Sequence, residues 1–191
     1  RADYFQRMQV RATGFVAYPF SSGLRVELFG GVRHAQYRRE RRSSIWSPGA
    51  GRIASNEATP PYAGAPTTVA EAGAALVRDT SVSGPNGPLV GSRYRLEIAP
   101  AVGELSYTSV TADLRRYLMP LRPFTVAMRV MHSGRYGAGG SDQRLVPNFL
   151  ASSAYVRGHG DDVQYCRPEA QSFCGDELFG NRMAVGNLEL R

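Results

Sequence analysis

Residues of this chain alternate with period two along almost its whole length, and that constrains the fold more than any other feature. From Met8 one face reads Met8, Val10, Ala12, Gly14, Val16, Tyr18, and the other Arg7, Gln9, Arg11, Thr13. Leu24, Val26, Leu28, Gly30 and Val32 then alternate with Arg25, Glu27, Phe29, Gly31 and Arg33. Tyr94, Leu96, Ile98 and Val102 oppose Arg93, Arg95 and Glu97. Thr108, Val110, Ala112, Leu114 and Leu118 oppose Tyr107, Ser109, Thr111, Asp113, Arg115 and Tyr117. Successive side chains of a strand point to opposite faces, so this is a strand pattern and not a helical one. A small-residue strand over about 69–81, one from Phe124 to Val130 and one over about 180–191 bring the expected number to seven.

The connections are as informative as the strands. Tight Pro/Gly turns are expected at 19–23, 82–91 and 119–123, all on one side of the sheet. The other side carries a short turn at 103–105 and two long loops, 41–68 and 137–179. The expected strands span about 11–15 residues, against a mode of about 5–6 in globular proteins. A tilted strand of about 10 residues rises roughly 23 Å, close to the apolar band of about 25 Å on a membrane barrel. Short turns on one side, long loops on the other and tyrosines near strand ends (Tyr18, Tyr94, Tyr107, Tyr117, Tyr136) also fit such a barrel. Residues 1–191 are therefore read as part of one all-β domain, an antiparallel up-and-down transmembrane β-barrel. A soluble sandwich shares the alternation, since each of its strands has one buried and one solvated face.

Composition narrows the function. No run approaches the roughly 18 apolar residues of a membrane helix, which leaves a barrel untouched. The net charge is +7, and all 23 basic residues are Arg. These arginines sit at alternate strand positions and not on one helix or tail, which argues against nucleic acid as a partner. Arg38-Arg39-Glu40-Arg41-Arg42 reads as a solvated loop base. Cys166 and Cys174 are the only cysteines. With His159 alone beside them they make a poor metal set, and a disulfide closing a short loop is expected, worth about 2–3 kcal/mol and implying an oxidising compartment. Two free thiols in a reducing compartment are the alternative. Neither Asp161-Asp162 beside His159 nor Ser152-Ser153 comes with a base at a diagnostic spacing. The chain is expected to be neither an enzyme nor a cofactor or metal carrier.

Val156-Arg157-Gly158 stands out within the second long loop. Gly158 lets the backbone turn sharply, and Arg157 is a five-donor fork that needs an acidic partner. Tyr155-Val156-Arg157-Gly158-His159 resembles the Val-Arg-Gly-Phe/Tyr motif of the BamA/TamA outer-membrane assembly superfamily, also called bacterial surface antigens, with His in place of the aromatic residue. Asp79-Thr80, the following turn and Gly91-Ser92-Arg93-Tyr94-Arg95-Leu96 resemble another stretch of the family. Gly180 to Leu190 is similar to the strand after the motif loop. The resemblance covers roughly 69–191, and the first third by pattern only.

The resemblance implies a loop folded back into the barrel lumen, with Arg157 gripping an acid on the inner wall. Glu189, or an acid beyond Arg191, is the candidate partner. It implies a bacterial outer-membrane location, contact with outer-membrane lipid, unfolded outer-membrane proteins as clients, and a role in their insertion or translocation. The family barrel has sixteen strands, so about seven would be middle strands, completed by the remaining strands of the same barrel. Arg1 is not an initiator Met, and Arg191 stops within an alternating run, so the chain is expected to be a piece of a larger protein. Two other readings share the pattern: a structural or adhesion barrel without insertase activity, and a soluble β protein that binds a ligand.

Overall fold

The computed structural model describes residues 2–47, 51–59, 66–85, 87–142, 144–150, 155 and 179–191. No helix occurs among them. The strands are β1 (Ala2–Ser21), β2 (Leu24–Ser47), β3 (Gly51–Thr59), β4 (Thr67–Asp79), β5 (Val82–Gly84), β6 (Gly87–Gly103), β7 (Tyr107–Leu121), β8 (Phe124–Tyr136), β9 (Asn148–Phe149), β10 (Phe179–Gly180) and β11 (Arg182–Leu190). The main sheet runs β1-β2-β4-β6-β7-β8-β11, with every neighbouring pair antiparallel. These are the seven strands expected from the alternation. The sheet is open, with β1 and β11 as its edges among the described residues. β9 and β10 form a separate small pair.

The first long loop is a correction. Residues 41–68 were expected to be irregular, but β2 continues to Ser47 and β3 returns along it, with Ile45 opposite Ile53 and Arg42 opposite Asn56. Serine, proline and alanine obscure a hairpin there that the backbone forms all the same. The expected 82–91 turn is also a hairpin, in which β5 pairs with the start of β6. Its exit needs Gly91, whose φ of 107° and approach to the Thr80 carbonyl leave no room for a Cβ.

Two hairpins close on two-residue turns, with Ser21 paired to Leu24 and Leu121 to Phe124. Beside each turn an irregularity, between Pro19 and Ser21 and between Leu118 and Leu121, shifts the register into that of the strands. The strands also slide past one another. The row of cross-strand partners starting at Leu24, beside its turn, passes through Arg78, Tyr94 and Leu114 to Val130, in the middle of β8. Such a stagger accompanies strand tilt in sheets that curl toward closure.

One face carries Val10, Val16, Leu28, Val32, Leu96, Ile98, Leu114 and Val130, all exposed. The other carries Glu27, Ala75, Val77, Ala99, Tyr117, Ala127 and Met131, all buried. We call these the outer and inner faces. The sheet is inverted relative to a water-soluble sandwich: in its central strands Ile98 is 54% exposed, while Glu27 is 5% exposed. The inner face gains its cover from curvature and from long side chains lying over small ones. Phe29, for example, lies over Gly73 of β4, where a Cβ would stand 2.4 Å from the ring. At the long-loop end Val69, Ala101, Leu105, Tyr107 and Leu145 form a small apolar cluster. The segment after β8 is held there by the Gly139 N–H donating to the Ser106 carbonyl at 2.9 Å.

Candidate functional site: an arginine-lined inner face

Alternation sends the charged residues of β4, β6, β7, β8 and the turn-proximal half of β2 to the inner face, Arg78 and Arg116 excepted, and register decides which of them meet. Glu27 accepts hydrogen bonds from Arg25 Nε at 2.7 Å and from Arg95 Nη1 at 2.6 Å. Arg95 spans from β6 to β2 because the intervening β4 offers small Ala75 and Val77 at that level. Its other edge is held by Glu97, at 2.7 Å. An acid as covered as Glu27 stays charged at low cost only because two guanidiniums replace its water.

A second cluster centres on Asp113. Both of its oxygens are used twice: Arg115 donates Nε to Oδ1 at 3.0 Å and Nη2 to Oδ2 at 2.6 Å, and Arg129 does the same at 3.1 and 2.9 Å. Bidentate forks of this kind are the stronger and more directional ion pairs. They are needed here, because Arg93, Arg115 and Arg129 stand directly opposite one another across three strands. Like charges facing each other across strands are destabilising. Arg93 leans away toward Asp79, at 3.6 Å.

The third cluster lies nearer the long-loop end. Glu71 pairs with Arg33 at 2.9 Å and with Arg11 at 3.3 Å. The Tyr107 hydroxyl donates to Glu71 at 3.0 Å and accepts from Arg33. Beyond the sheet, Asp142 takes the backbone N–H and the side chain of Arg144, at 2.8 and 2.9 Å. Those bonds, the side-chain one foremost, hold the Asp142 carboxyl below the ordinary aspartate range. Asn181 ties this segment to β11 through Ser141, at 2.6 Å.

The residues singled out from the sequence fare unevenly. Val156, Arg157, Gly158, Cys166 and Cys174 lie outside the described residues, as do His159, Asp161, Asp162, Ser152 and Ser153. Tyr155, the residue before the motif, is described: its carbonyl accepts from Asn187 Nδ2 at 2.9 Å. Asn187 is on the inner face of β11, directly opposite Arg129. Glu189 also faces inward, opposite Ala127, and receives Arg191 at 2.8 Å. The three carboxylate clusters were not singled out from the sequence. Their faces were readable there, but not the partners, which depend on strand order and register.

The outer face shows a different chemistry. Five outward positions of β2, Leu24 to Val32, carry only apolar residues and Gly30. For a strand tilted by about 40° this span rises roughly 20 Å. His34 and Gln36 follow at the long-loop end. On β8 the outward series Phe124, Val126, Met128, Val130 gives way to His132 and Tyr136. His132 and Tyr136 are hydrogen-bonded at 2.7 Å, and the Arg182 guanidinium lies 4.4 Å from the Tyr136 ring centre. At the other end Tyr94, Arg78 and Arg116 occupy outward positions. No protein-family model matches the chain, and no curated protein matches it significantly.

Proposed function

We propose that this chain is part of a bacterial outer-membrane β-barrel whose outer face meets lipid and whose inner face lines the lumen. The observation that carries this reading is the inverted sheet, with exposed hydrocarbons on one face and clamped charges on the other. Water is a poor cover for a contiguous apolar face of this extent, and a bilayer is a natural one. Aromatic and cationic residues at both ends of the band suit the two headgroup regions. Edges bare of hydrogen-bond partners are not tolerated in hydrocarbon, so β1 and β11 require further strands to complete the wall. Washing of membranes with alkaline carbonate tests the reading. The native protein is expected to stay in the pellet until detergent is added and to migrate faster on gels before boiling than after. Release by carbonate alone sinks it.

Within that class, the role we propose is insertion or translocation of outer-membrane proteins. It rests on the resemblance of Tyr155-Val156-Arg157-Gly158 to the BamA/TamA motif. The anchoring of the Tyr155 carbonyl on the inner face supports it, since that contact brings the stem of the motif to the lumenal wall. Arg157→Ala in the native protein is expected to weaken heat-modifiable migration and to slow insertion of an unfolded outer-membrane client into vesicles. Arg122→Ala, in a two-residue turn, is expected to leave both unchanged. Equal behaviour of the two variants, or an intact barrel with no insertion activity, favours a structural or adhesion barrel instead.

A further inference from the structure

The inner face is not charge-balanced. Two of its three clusters place two arginines on one carboxylate: Arg11 and Arg33 on Glu71, and Arg115 and Arg129 on Asp113. The cluster around Glu27 and Glu97, held by Arg25 and Arg95, is even. The excess is thus positive at two levels of the wall. At one of those levels Arg93 extends the row of guanidiniums facing one another across strands. A sheet needing nothing but internal pairing gains from alternating signs at such positions. Arg11 and Arg93 are also about half exposed, so the excess is open to solvent.

We propose that the inner face is an anion-attracting surface that concentrates small inorganic anions, of the size of chloride or phosphate, along the lumen. This rests on the reading of that face as a water-filled lumen. Low-dielectric walls carrying one sign of charge raise the local concentration of counter-ions, more so where the space is narrow. Neighbouring guanidiniums, each with several N–H donors, can hold one anion between two strands.

Ion-specific fluorescence quenching tests it in the native protein folded in detergent. Trp46 is the only tryptophan, so Trp46→Phe clears the background. Thr13→Trp then reports beside Arg11 and Arg33, and Asn187→Trp opposite Arg129. With each ion's quenching divided by its quenching of free N-acetyltryptophanamide, iodide is expected to quench both probes about threefold more strongly than caesium at low ionic strength, and the difference to fade with added salt. Arg11→Glu and Arg115→Glu are expected to abolish the preference at the nearby probe. Arg78→Glu, the same charge change on the outer face, is expected to leave it intact. Equal quenching by the two ions, or a preference that survives both inner-face reversals, overturns the proposal. If neither ion reaches the probes the face is dry, and the lumen reading falls along with it. Carbonate release combined with a clear iodide preference instead sinks the membrane reading alone.

Discussion

Glu97 and Ile98 are consecutive residues of β6 that meet opposite surroundings. Glu97 is clamped by Arg95 over a half-covered wall, while Ile98 stands in the open beside Leu96. The same contrast recurs along β2, between Glu27 and Leu28, and along β7, between Asp113 and Leu114. In a soluble sandwich the apolar member of each pair is the hidden one. Here the polar member is hidden, and it is hidden by other polar groups. Packing and electrostatics have exchanged places: hydrocarbon provides the contact with the surroundings, and ion pairs provide the internal cohesion between non-adjacent strands.

Placing the same charge on either face is the sharpest way to break that comparison. Ile98→Arg in the native protein is expected to cost about 2–4 kcal/mol in vesicles, the range for a cation at mid-depth on a lipid-facing strand. Thr111→Arg, inward-facing and opposite Glu97, is expected to cost under about 1 kcal/mol. Urea unfolding in lipid vesicles measures both, and similar losses at the two sites collapse the distinction between faces.

Removing a carboxylate tests the cohesion of the inner face. Glu27→Ala leaves Arg25 and Arg95 facing each other over a covered site, and a loss of about 2 kcal/mol is expected. Both arginines are partly exposed, which keeps this below the value for a fully buried pair. Restoration of stability by adding Arg25→Gln to Glu27→Ala, followed by the same unfolding transition, identifies repulsion as the cause. No recovery means that the ion pair was incidental.

The smallest effect belongs to the Asp142–Arg144 turn outside the sheet. Its carboxyl is held below the ordinary range, so the folded state favours the charged form. The stabilisation is fully present above the ordinary aspartate pKa and disappears as pH falls through the lower folded value. Amide protection at Arg144 and Leu145, with the intrinsic pH dependence of exchange divided out, should therefore fall only on the acid side of that window. Asp142→Asn should show the same protection throughout, and a wild-type protection profile that is flat in acid removes this contribution.

The faces were legible in the sequence because a period of two needs nothing beyond neighbouring residues. Every inward arginine named above follows from parity alone. The meeting of Arg95 with Glu27 was not legible, because it depends on β4 lying between β2 and β6 and on that strand being small at Ala75. The β2–β3 hairpin was missed for a chemical reason. Ile45 and Ile53 are single apolar residues among serine, alanine and arginine, too sparse to signal alternation. The Pro48-Gly49-Ala50 sequence between them was the available turn signal. The Glu71–Tyr107–Arg33 cluster joins three strands and is equally invisible to a local pattern.

Two-faced strands joined by two-residue turns make the assembly check its own alignment. A slip of one residue in any hairpin would turn its arginines toward the hydrocarbon-bearing side and its leucines toward the carboxylates, an error that no side-chain rearrangement can hide. A slip of two residues keeps the faces correct but must remake both a two-residue turn and the irregularity beside it, as at Ser21–Leu24 and Leu121–Phe124. Charge parity thus rejects odd misalignments, and the local geometry of the turns opposes even ones. A wall of long, repetitive strands can find one arrangement without a conventional core to guide it.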